Sequence, residues 1–121
     1  MTEAMENALQ ALLGNRTAVK LMLYLFHYGE AYATGVAKDS GIALSPVQRQ
    51  LEKFEAGGLL VSRMLGNTRV YSFNPRHPAT RKLKELIQVF HEAMSLNERE
   101  RLFSTRRRPR RRGKPVTGRD A

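Results

Sequence analysis

Six side chains between positions 45 and 53 carry most of the chemistry this chain offers: Ser45, Pro46, Gln48, Arg49, Gln50 and Lys53. An arginine holds a planar fork of donors that fits the paired acceptors on a guanine edge, and a glutamine pairs donor with acceptor as an adenine edge requires. The start of a helix adds unpaired amides that attract an anion. A second set, Arg63, Asn67, Thr68 and Arg69, surrounds a Gly66-Asn67 pair. There a guanidinium can reach a phosphate or a narrow minor groove.

Other chemistry is poorly served. The chain has no cysteine, which removes disulfides, thiolate nucleophiles and Cys-rich metal sites together. His27, His77 and His91 are scattered along the sequence. His91 and Glu92 are helix neighbours whose side chains diverge, so the expectation is no metal and no cofactor. No Gly-rich phosphate loop, nucleophile-base signature or carboxylate cluster with ligand spacing appears, and an enzyme is the poorest fit.

The 121 residues suit one domain with a modest core. A net charge of +10 is unevenly spread: from Ser104 onward, seven arginines and one lysine oppose one aspartate, a balance of +7 that leaves +3 for residues 1–103. We therefore divide the chain into a folded domain, 1–103, and a basic tail, 104–121. The tail has one large aliphatic residue, Val116, too little burial to offset its ordering entropy, so disorder is expected. Such a balance favours a polyanionic partner. The opening MTEAMENALQ carries acids where a secretory signal needs cations, and the apolar run at 21–26 is far too short to span a bilayer. A soluble cytoplasmic protein with no membrane partner is expected.

The elements that must position these groups are written in periodicity and punctuation. Met5, Ala8, Leu9, Leu12 and Leu13 follow helical spacing up to Gly14, which predicts an amphipathic helix over 2–13. Asn15 caps a second helix, 16–28, apolar around much of its circumference and so a central post. A short helix at 34–40 closes on Gly41, and residues 42–44 make an apolar turn. Ser45 then reads as an N-cap, Pro46 as the first helical residue, and Gln48 as the partner that completes a capping box. Val47, Leu51 and Phe54 form the inward stripe of this helix, opposite Ser45, Arg49 and Lys53, and Gly57-Gly58 stops it. LLVSRML and TRVYSF read as two strands joined at Gly66-Asn67. After Pro78 a helix carries the seam Leu83, Leu86, Ile87, Phe90 and Met94, and Ser95 with Glu98 repeats the capping-box spacing.

Taken in order, VAKDSGIALSPVQRQLEKFEAGGLL followed by RMLGNTRVYSFNP, with amphipathic helices outside them, resembles the winged helix-turn-helix of small ArsR-like transcription regulators. The resemblance covers about residues 13–94. It implies a mainly α fold with a small β-hairpin wing and N- and C-terminal amphipathic helices, and a sequence-specific regulator of double-stranded DNA, a dimeric repressor. It places Ser45, Pro46, Gln48, Arg49, Gln50 and Lys53 on a recognition helix, 45–56, in the major groove. It sets Arg63, Asn67, Thr68 and Arg69, on the wing at 63–70, along the backbone or minor groove. The terminal helices would make a two-fold dimer, for which Leu9, Leu12, Leu83, Ile87, Phe90 and Met94 are the expected contacts. In the tail, Arg106, Arg107, Arg108, Arg110, Arg111 and Arg112 are expected to bind DNA without sequence preference, over about 60 Å if extended. Two alternatives stay open: an interaction or antitoxin-like winged helix that neutralises a protein partner, and a non-specific architectural nucleic-acid binder driven by the tail.

Overall fold

The computed structural model describes residues 1–103. Its order is α1 (Glu3–Leu13), α2 (Arg16–Tyr28), α3 (Ala33–Ser40), α4 (Leu44–Ala56), β1 (Leu60–Leu65), β2 (Thr68–Phe73), α5 (Thr80–Glu92) and α6 (Leu96–Phe103). The expected tail, with its arginines from 106 to 112, lies outside the described residues.

Helix starts follow the polar caps where the side chain can reach the free amides. Thr2 accepts from the Met5 amide at 3.2 Å, and Asn15 Oδ1 accepts from Ala18 at 2.8 Å. Each cap stabilises its helix by about 1 kcal/mol. From Asn15 runs the post that its apolar circumference implies: Leu21, Met22, Leu23, Tyr24 and Leu25 are all buried, with Ala18 and Val19 below them. Burial of each large side chain is worth about 1.5–3 kcal/mol. The helix packs against α1, α3, α4 and α5, so the core is built around it.

α3 and α4 pack on each other across a turn at 41–43, tied by the Ile42 amide to the Ala37 carbonyl at 3.1 Å. Val36 from α3 and Val47, Leu51 and Phe54 from α4 face inward. The expected cap at Ser45 is not the one used. α4 begins at Leu44 with Ala43 as its N-cap and no side-chain cap bond, so Ser45 and Pro46 are the second and third helical residues and Gln48 closes no capping box. Proline is tolerated there because the first-turn amides have no partner within the helix. The helix thus gains a residue at no hydrogen-bond cost.

Gly58 is where α4 hands over to the ribbon. Its φ of +85° suits glycine, and a Cβ there would stand 3.0 Å from the His77 ring. β1 and β2 then pair antiparallel, from Leu60 opposite Phe73 to Leu65 opposite Thr68, about the turn at Gly66 and Asn67. A pairing that no local sequence pattern announces adds to the far edge. Ala31 and Tyr71 exchange backbone bonds of 2.9 and 2.7 Å, which ties the ribbon to the segment before α3.

α5 and α6 close the body. The expected capping box forms: the Ser95 amide donates to Glu98 Oε1 at 2.8 Å, and the Glu98 amide donates to Ser95 Oγ at 3.1 Å. Leu9, Ile87, Phe90 and Met94 belong to the chain's own core. Their apolar spacing reports burial inside one protomer, and they are not available to a second copy. Leu12 stays 61% exposed and Leu83 is half-buried.

Candidate nucleic-acid interface

The first two turns of α4 present a polar edge to solvent. Ser45, Gln48, Arg49 and Lys53 are exposed and Pro46 is half-buried. Burying Val47, Leu51 and Phe54 fixes this presentation, because helical geometry turns positions 45, 49 and 53 away from that stripe. Among the described residues the Arg49 guanidinium enters no ion pair. Lys53 lies 4.9 Å over the Phe54 ring and is held along the helix surface. Gln50 departs from expectation. It is half-buried, and its Oε1 is enclosed with no hydrogen-bond partner among the described residues, so that oxygen is not offered to a base edge.

At the ribbon the expected cations are already engaged. Arg63 Nη2 meets Glu30 Oε1 at 3.1 Å, a pair that spans β2, since Glu30 precedes the residue bridged to Tyr71. Arg69 Nη1 donates to Ser62 Oγ at 3.0 Å, and Ser62 in turn donates to Glu55 of α4. Burial, reinforced by Glu55, raises the Tyr71 hydroxyl above its ordinary pKa and keeps it protonated against this chain. Asn67 and Thr68 are exposed at the tip. So are Met64, at 54%, and Leu65, at 61%. By sequence these two read as ordinary strand apolars.

Two histidines that look scattered in the sequence meet in space. His27 Nδ1 lies 3.0 Å from His91 Nε2, and the Phe103 ring stacks on His27 at 3.9 Å. One ring must donate and the other accept, so at least one imidazole is neutral. Burial, aided by Arg99 and opposed by Glu92, lowers the His91 pKa. His77 is used separately, its Nδ1 accepting from the Ala79 amide at 3.0 Å. Among the described residues, no three His, Cys, Asp or Glu side chains gather where they could hold a metal.

No protein-family model matches this sequence, and no curated protein matches it. Structure comparison does find relatives in shape. The crystal structure of the AntR antimony-specific transcriptional repressor superposes with a TM-score of 0.53 at 24% identity, covering 75% of this chain and 83% of that one. The fold shared with it is a winged helix-turn-helix. A possible transcriptional regulatory protein (fragment 1-100) from Mycobacterium bovis aligns at 25% identity over 66% of this chain and 83% of that one, with a TM-score of 0.49. In the winged helix, α3 and α4 are the helix-turn-helix and β1-β2 is the wing. The exposed start of α4 is therefore the second helix of the motif, and Arg49 with Gln48 lies on its open edge.

Proposed function

We propose that this protein is a sequence-specific DNA-binding transcriptional regulator that acts as a dimeric repressor. One observation carries the reading: α4, the second helix of the motif, opens without a side-chain cap and presents to solvent Gln48 and an Arg49 that enters no ion pair among the described residues. Unpaired first-turn amides suit a phosphate, and the two side chains suit base edges. Ser45 and Lys53 join them, Gln50 serves to position the helix, and the wing contributes Asn67 and Thr68 with backbone contacts from Arg63 and Arg69. Arginines 106–112 supply a further, sequence-independent attraction.

Dimerisation is proposed through the apolar surface left over once the core is satisfied. Leu12 of α1 and Leu86 and Val89 of α5 are exposed, and α1 and α5 touch. Two copies joined there would read half-sites about 34–36 Å apart, one turn of DNA. The antimony specificity stated for the AntR repressor is not carried over, because a soft ion calls for thiolates and this chain has no cysteine. A second reading, a winged helix that docks a protein partner, is favoured by the apolar wing tip at Met64 and Leu65.

Selection from a random DNA library, with and without residues 104–121, tests the proposal. A palindromic motif in both arms is expected. Tight binding with no motif would replace it with the architectural reading.

A further inference from the structure

A cavity of about 230 Å³ lies where α1, α2, α3 and α6 meet, with no residue of α4 in its lining. Its floor is aliphatic, formed by Val19, Leu23, Met94 and Leu102. The space is partly open to solvent and has room for a small organic molecule over that floor. We propose that this cavity binds a small aliphatic α-amino acid.

The polar rim sorts the ligand class. Lys20 Nζ, on one wall, makes a single long contact of 3.5 Å with the Ser40 carbonyl and has no carboxylate partner among the described residues. Ser40 Oγ, at the last residue of α3, is buried without a hydrogen-bond partner among the described residues. Arg101 stands on the same rim. Two cations and a hydroxyl donor suit a carboxylate. Asp39 binds the Tyr24 hydroxyl at 2.7 Å through Oδ2, which leaves its other oxygen for an ammonium. Glu98 is not counted, because the Met1 ammonium and Ser95 already occupy it, while Glu6 of α1 adds a second carboxylate to the rim for an ammonium. A purely apolar molecule would strand Lys20 and Ser40, and a simple anion would waste the floor and face Asp39. Only a group of both charges on an aliphatic body uses every wall.

Occupancy has a route to the DNA-reading part of the fold. Asp39 and Ser40 end α3, and α6 packs on α3. A ligand bridging Lys20 of α2 to Asp39 and to α6 would hold α3, and with it α4, in one pose on the post.

Titration of the full chain, without DNA, by methyl-resolved NMR tests binding alone and so stands or falls apart from the repressor reading. The probes are L-leucine, L-valine and L-methionine up to about 10 mM, with 4-methylpentanoate and 3-methylbutylamine as the two halves of the molecule. Saturable shifts at Val19, Leu23 and Met94 with leucine are expected, with each half weaker by about tenfold or more. Lys20→Met should weaken leucine by about tenfold, and Asp39→Asn should abolish the preference for leucine over 4-methylpentanoate. Absence of saturable shifts with the amino acids, or halves that bind as well as leucine, would overturn the proposal.

Discussion

Replacing Arg49 with alanine should damage sequence reading while leaving the fold alone. The side chain is exposed and makes no ion pair among the described residues, so its removal breaks no internal salt bridge and should change stability by less than about 0.5 kcal/mol. For the same reason it pays no release cost on reaching a base. A bidentate base contact discriminates by about 1–3 kcal/mol, and two half-sites double this to about 2–6 kcal/mol. In affinity that is a loss of about 30-fold to 10⁴-fold on the selected operator. Arg63 makes a useful contrast, because its pair with Glu30 must open or be shared before it serves a phosphate. An exposed pair of this kind is worth about 0.2–1 kcal/mol. Arg63→Ala should therefore weaken operator and scrambled duplex alike, each by less than about tenfold. Fluorescence anisotropy on both duplexes at one fixed salt concentration measures all of these values. Equal fractional loss on operator and scrambled DNA by Arg49→Ala would refute the assignment of that residue.

Further outcomes follow from other parts of the structure. Gly58→Ala forces an L residue to φ +85° with its Cβ against His77 and should cost about 1–2 kcal/mol or more in urea unfolding, whereas a neutral result would mean the turn relaxes freely. Acid should weaken the fold in two stages. The His91 pKa is lowered in the folded state, chiefly by burial, so below its ordinary value of 6.5 the unfolded chain takes the proton first and stability falls, levelling once the pH is below the folded pKa. Glu98 is depressed below 4.5, first by its hydrogen bond to the N-terminal ammonium, so its contribution is full above 4.5 and is lost as the pH falls through the folded value. Urea midpoints at pH 7.5 and 5.5 should therefore differ less for His91→Gln than for the parent. Leu86→Glu with Val89→Glu should yield a folded monomer by sedimentation, and a dimer surviving both changes would move the interface elsewhere. Deleting 104–121 should weaken binding on all sequences and flatten the salt dependence by about 0.9 logarithmic units for each phosphate the tail no longer neutralises.

Much of this was written locally in the chain. Asn15 and Gly29 bracket α2, and Ser95 with Glu98 marks the start of α6, because a cap is a contact between residues three apart that a sequence can display. Ser45 shows the limit of that logic. Its type and its proline neighbour suit a cap, yet the helix extends to Leu44, since proline at the third position forfeits no hydrogen bond within the helix. Periodicity identified Leu9, Ile87, Phe90 and Met94 as apolar but could not say what covers them, and the cover is their own core. Pairings between distant residues left no pattern to read. The bridge of Ala31 to Tyr71 joins single residues across 40 positions, and the His27 to His91 approach spans 64. The half-burial of Gln50 and the bare wing tip at Met64 and Leu65 likewise depend on where neighbouring elements end.

We propose above all that the leading turn of α4 lies in the major groove. Dimethyl sulfate interference on the selected operator reads this directly, because methylation marks guanine N7 in the major groove and adenine N3 in the minor groove. Interference is expected at guanine N7 in two clusters about one helical turn apart, with that interference lost in Arg49→Ala. Interference confined to adenine N3, or a guanine pattern unchanged by the substitution, would contradict it.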